Sequence, residues 1–156
     1  MSHFRGSRST LLRRGDRGAA LVEFALVALL FMFFIYAVAV FGILLSTKNS
    51  ITHAAAEGAR SALTVSDLPA ATLDARRVTQ ATTTVANSLS GTLGSHYNPS
   101  DVSASIAGCD NPADTHKCIT VTITYPWSTR PIVPQLPGMG LATPNNVRAT
   151  AVVRLS

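Results

Sequence analysis

With 156 residues and one candidate membrane-crossing helix, the chain leaves about 110 residues for a single small domain and too few for two. Its formal net charge of +5 invites a nucleic-acid or anionic-lipid partner until the charges are placed. Residues 1–18 hold Arg5, Arg8, Arg13, Arg14 and Arg17 against Asp16 alone, the remainder is nearly neutral, and no basic unit patterned with aromatics or glycines exists, which excludes nucleic acid.

The basic leader is followed by Phe24 to Leu45, 22 residues without a charge. As a helix this run measures about 33 Å, the thickness of one bilayer crossing. Five arginines before it and a lone Lys48 after it predict a cytoplasmic N-terminus and an exported C-terminus. Glu23 is the only charge among the 29 residues from Ala19 to Thr47. A carboxylate at the mouth of a membrane helix costs roughly 2 to 4 kcal/mol on insertion scales, so it carries a functional reading by default. The plainer alternative is a side chain snorkelling at the interface beside the arginines. A rival cleavage site of small-x-small form stands at Ala37-Val38-Ala39, but the apolar run continues through Phe41 to Leu45, where a signal peptide would turn polar.

Beyond the span, Ile51, Ala54, Ala55, Gly58 and Ala62 recur at spacings of three and four, while Lys48, Asn49, Thr52, Glu57 and Arg60 take the other faces. A continuous helix from about Ala19 to Leu63 follows, about 67 Å long, with a small-residue stripe suited to close packing. Asp67, Leu68 and Pro69 interrupt it. A second helix is expected from Ala70 to about Leu93, its apolar face formed by Leu73, Val78, Val85, Leu89 and Leu93 and its end marked by Gly91 and Gly94. Thr82, Thr83 and Thr84 weaken that helix because β-branched side chains lose rotamer freedom there.

The rest alternates as strands do. Val102, Ala104 and Ile106 are separated by polar residues, Ile119, Val121, Ile123 and Tyr125 alternate with Thr120, Thr122 and Thr124, and a last strand covers Val147 to Leu155. This pattern predicts an antiparallel sheet of three or more strands with one covered face, the cover being the outer part of the first helix and the second helix. Between the last two strands lies WSTRPIVPQLPGMGLATPNN, which with Pro126 holds five of the eight prolines; it is too long for a hairpin turn and is a candidate contact surface. The two cysteines, Cys109 and Cys118, fall in the part predicted to be exported, where a disulfide is expected.

Catalysis finds little support. His53, His96 and His116 are scattered and His3 lies in the leader, so no enzyme, cofactor or metal is expected. Asp110, Asn111 and Asp114 lack the glycine and terminal glutamate of a calcium loop, and a pair of cysteines with only His116 nearby is no zinc site.

Gly18 followed by Ala19, Ala20, Leu21, Val22, Glu23 and Phe24 and an apolar helix resembles the prepilin-peptidase site of type IV pilin-like proteins. More closely, RGAALVEFALVALL from Arg17 to Leu30 and the alanine-rich block ending in Glu57-Gly58-Ala59-Arg60 are similar to the TadE-like proteins of the tight adherence (Tad, Flp) pilus system. The resemblance covers roughly residues 17–62. It implies cleavage after Gly18 by prepilin peptidase, a free Ala19 amine, and Glu23 paired with that amine on a neighbouring pilin-like subunit. Relatives with a proline early in the span and an acidic residue near its end differ from this chain, which has Ala28 and Val40-Phe41-Gly42 and so should carry a straighter, more lipid-compatible helix.

The expected fold is therefore α+β and pilin-like: a basic cytoplasmic leader over 1–18, a transmembrane helix over 19–45 and an extracytoplasmic domain over 46–156. The expected role is that of a minor subunit or assembly factor of a Tad-type pilus or related secretion apparatus, since major Flp pilins look shorter and TadG-like relatives longer. Its expected partners are prepilin peptidase, other pilin-like subunits and the lipid bilayer. The alternative is a tethered or released binding module whose proline-rich loop around Trp127 and Met139 holds a surface ligand. An anchored enzyme is the third.

Overall fold

The computed structural model describes residues 13–66, 69–109, 115–134, 140 and 142–155. The leader before Arg13, the expected break at Asp67 and Leu68, the acidic loop residues Asp110, Asn111 and Asp114, and Met139 lie outside the described residues. The element order is α1 (Arg13–Ser61), α2 (Ala70–Leu93), β1 (Val102–Gly108), β2 (Lys117–Tyr125) and β3 (Val147–Arg154), with short 3-10 turns after each helix and before β1. Two compact units divide the chain between Gly42 and Ile43. The α+β layout is the one the periodicities predict.

In the first unit the side chains of α1 from Leu21 to Phe34 project outward, Phe24 and Leu30 each 70% exposed. Among the described residues, the helix that includes Gly18–Thr64 is long and apolar enough to cross a membrane by length and composition. The helical backbone begins at Arg13, six residues before the expected Ala19. Arginine is a good helix former, and three of them offset the two glycines in Arg13–Gly18.

In the second unit, α1 changes character. Ile51, Ala54, Ala55, Ala59 and Ala62 are fully buried and Gly58 is buried with them, so two rows at four-residue spacing form a shallow ridge. On α2 the buried row is Arg77, Ala81, Val85, Leu89 and Leu93, again four apart. Leu73 and Val78, expected on that face, are only half-buried. Arg77 is not among the apolar positions the sequence pattern selects; its Nε donates to the Val65 carbonyl at 3.1 Å, which lets its aliphatic stem lie inside.

Local chemistry explains where the helices stop. After Ser61 the chain tightens into a 3-10 turn and Val65 becomes extended. Pro69 then opens α2, its carbonyl accepting from the Thr72 and Leu73 amides. Gly94, at φ +54°, closes α2 and donates its N–H to the Ser90 carbonyl. That left-handed position suits glycine. Gly91, expected to share in ending the helix, lies inside it. The threonine-rich stretch stays helical, and Thr79, Thr82 and Thr83 hand their hydroxyl protons back to carbonyls three or four residues earlier.

The sheet order is β1-β2-β3 with both pairs antiparallel. Central β2 buries Ile119, Val121, Ile123 and Tyr125, and these join Ile51, Ala55, Val85, Leu89, Val147 and Ala149 in one core. Thr120, Thr122 and Thr124 turn to the other face, where Thr122 and Thr150 hydroxyls meet at 3.2 Å. Between β1 and β2, Cys109 and Cys118 are disulfide-bonded with Cα atoms 5.0 Å apart, and the Cys109 amide donates to the His116 carbonyl.

Candidate functional site

Gly18, Ala19, Glu23 and Phe24 lie on consecutive turns at the N-terminal end of α1, and all are exposed. A side chain added at Gly18 would meet nothing within 4 Å. Among the described residues, ion pairs join Lys117 to Asp74 and Arg130 to Asp101, and Glu23 takes part in neither. A helix whose large apolar side chains are exposed around its girth is suited to lipid or to helices of other chains.

The second block behaves differently. Gly58 and Ala59 are buried against α2 while Glu57 and Arg60 point outward. Gly58 marks a close approach of the two helices: a Cβ there would lie 2.5 Å from Val85 Cγ2 and 3.0 Å from the Ala81 carbonyl oxygen. Glu57 ties the same crossing from the side by accepting from Ser88 Oγ at 3.3 Å. The Glu-Gly-Ala-Arg block is thus partly a packing element, its glycine set by helix contact.

The proline-rich connection is anchored at its first half. Trp127, expected as a ligand anchor, is fully buried, edge-on to Tyr125 with ring centroids 6.3 Å apart. Its burial removes it from any surface contact. The period-two pattern of Ile119, Val121, Ile123 and Tyr125 in fact reaches Trp127, a signal hidden by Pro126. Arg130 holds the segment down: its Nη2 meets the Asp101 carboxylate at 2.5 and 2.6 Å, its Nη1 donates to the His96 carbonyl at 2.9 Å, and its guanidinium lies 5.5 Å from the Tyr125 ring centre. The Tyr125 hydroxyl donates to the Arg130 carbonyl. Nothing in the sequence pattern marks this cluster, because Arg130 and Asp101 are 29 residues apart.

The histidines do not converge. His53 is exposed, His96 serves through its backbone, and His116 lies against the Arg154 guanidinium. Among the described residues no three His, Cys, Asp or Glu side chains come together as a metal site.

No curated protein matches the chain, and no solved structure does. Residues 18–60, which contain both the exposed N-terminal block and the buried Gly58 block, match the family model for TadE-like protein.

Proposed function

We propose that the chain is a pilin-like minor subunit or assembly factor of a Tad-type pilus or related secretion apparatus, with a structural rather than catalytic role. The observation that carries this reading is the coincidence of the TadE-like match over residues 18–60 with an α1 whose large apolar side chains are exposed from Leu21 to Phe34. Those side chains need lipid before assembly and helices of other subunits after it. The arginine excess ahead of the span keeps the leader in the cytoplasm and the second unit outside.

Prepilin peptidase cleaves after Gly18 in this reading, freeing the Ala19 amine. Glu23 then faces the corresponding amine of a neighbouring subunit, so that neither charge enters the bundle uncompensated. N-terminal sequencing of protein from its native membrane tests the proposal: the mature chain should begin at Ala19, and Gly18→Ala or a larger residue should block processing. An intact leader in membranes that contain the peptidase, or normal piliation after deletion, would sink it.

A further inference from the structure

We propose that the second unit carries a binding groove for an anionic phospholipid headgroup, formed where Lys48 of α1 meets Arg148 of β3. The groove has a volume of about 210 Å³ and is lined by Leu44, Leu45, Lys48, Pro144, Asn146, Val147 and Arg148. It rests on the reading of α1 as a membrane span, because Leu45 is the last residue of the uncharged apolar run and Lys48 the first charge after it. That places the groove where hydrocarbon gives way to headgroups.

Its two ends suit the two ends of a lipid. Leu45, Leu44, Val147 and Pro144 offer an apolar wall for the upper acyl chain. Lys48 and Arg148 offer cations at headgroup level, and no acidic side chain lines the groove. The pairing is built into the fold. Leu155 donates its N–H to Lys117 O, so residues of the same parity on β3 bond to β2 and the Arg148 carbonyl points out from the free edge. Lys48 Nζ donates one proton to that carbonyl, which fixes the ammonium at the edge of β3 and leaves two N–H donors for a phosphate. Arg148 also lines the groove and is exposed, and its guanidinium brings a planar donor fork that matches phosphate oxygens. A zwitterionic headgroup carries its own cation and gains less from this pair than a net anionic one does.

The test uses the full chain in nanodiscs of phosphatidylcholine with one fifth phosphatidylglycerol, with native mass spectrometry after transfer to detergent and vesicle flotation as the insertion control. The wild-type chain should float and retain one phosphatidylglycerol. With a juxtamembrane cation contributing about five-fold, Lys48→Gln and Arg148→Gln should each lower retention about five-fold and the double variant about 25-fold, with Arg76→Gln unchanged. Emission of the buried Trp127 verifies that each variant is folded. Floating chains whose double variant keeps its lipid overturn the groove alone, as does an equal loss in Arg76→Gln. Failure of the wild-type chain to float overturns the span and the groove together. A dimer signal lost in the double variant with lipid retention unaltered overturns the lipid in favour of a subunit contact.

Discussion

Gly58→Ala tests the most tightly specified contact in the second unit. The new Cβ would stand 2.5 Å from Val85 Cγ2, against an ordinary carbon–carbon contact of about 3.5 to 4.0 Å. Val85 is stiff about χ1 in a helix and is fully buried, and the second close atom, the Ala81 carbonyl oxygen at 3.0 Å, belongs to the backbone. Neither yields as a flexible side-chain tip would, so the helices must separate. Overpacking of this kind costs about 1 to 3 kcal/mol, and the better helix propensity of alanine returns about 1 kcal/mol. The expected net loss is about 0 to 2 kcal/mol, or up to about 10 °C in Tm for a domain of this size. Thermal unfolding of the full chain in detergent micelles, followed by the fluorescence of Trp127, measures it. In a Val85→Ala background the Cγ2 atom is gone, so Gly58→Ala should become nearly neutral, leaving a coupling of about 1 kcal/mol or more. Equal losses in both backgrounds would refute the contact argument. So would a stabilisation of about 1 kcal/mol in the wild-type background, the behaviour of an open helical site.

Replacing both cysteines of the Cys109–Cys118 pair by serine should lower the stability of the second unit by about 2.5 kcal/mol on the chain-entropy account of a short loop, read by chemical denaturation with and without reductant, under which the variant should no longer respond. Asp101→Asn should cost about 2 kcal/mol and loosen the first half of the proline-rich connection, measured as faster amide exchange at Ser128 and Arg130; the Arg130 side chain is 30% exposed, which keeps the loss below that of a fully buried pair. Burial holds the Tyr125 phenol above its ordinary 10.0, with Arg130 opposing the rise and Asp101 adding to it, and Tyr97 is raised by burial and by Asp101. Below about pH 10 both states keep these protons and stability is unaffected. Above it the unfolded chain loses its protons first, so stability should fall with rising pH, and Tyr125→Phe should flatten that fall while losing about 1 kcal/mol at neutral pH with the hydrogen bond to Arg130. A pH profile of unfolding identical in the variant would contradict the linkage.

Legibility in the sequence followed the range of the interactions. The small-residue stripe of α1 and the alternation of β2 were readable because each is set by one element's own period: Ile51, Ala54, Ala55, Gly58 and Ala62 are all buried, and Ile119 to Tyr125 alternate as expected. The face of α2 was partly misread, since hydrophobicity picks Val78 over Arg77, whereas packing against α1 selects the row through Ala81 and Val85 that a long cation can border with its stem. Trp127 looked like surface because prolines surround it. Its parity with Tyr125 carried the opposite message, and burial of a large aromatic next to the core outweighed the loop composition. The Arg130–Asp101 pair and the meeting of Lys48 with Arg148 had no local signature, because each joins distant segments through the sheet register and loop path.

The two blocks of the family match divide one helix between two kinds of packing, and side-chain size separates them. From Leu21 to Phe34 the helix offers Leu, Phe, Met and Val, residues whose large exposed area is useful only to a partner or solvent outside the chain. From Ile51 to Ala62 it offers mostly alanine and glycine, whose use is to bring α2 close inside the chain. A mutation that enlarges the second block should therefore destabilise the domain without touching anchoring, as Gly58→Ala does in the argument above. A charge placed in the first block should act in the opposite way. Leu30→Arg, at a position 70% exposed, should place its cost of about 3 kcal/mol on membrane insertion. Unchanged Trp127 unfolding in micelles together with reduced recovery in membranes is the expected pair of results. Loss of the folded signal in micelles would show that the two blocks share a packing duty and that size does not divide them.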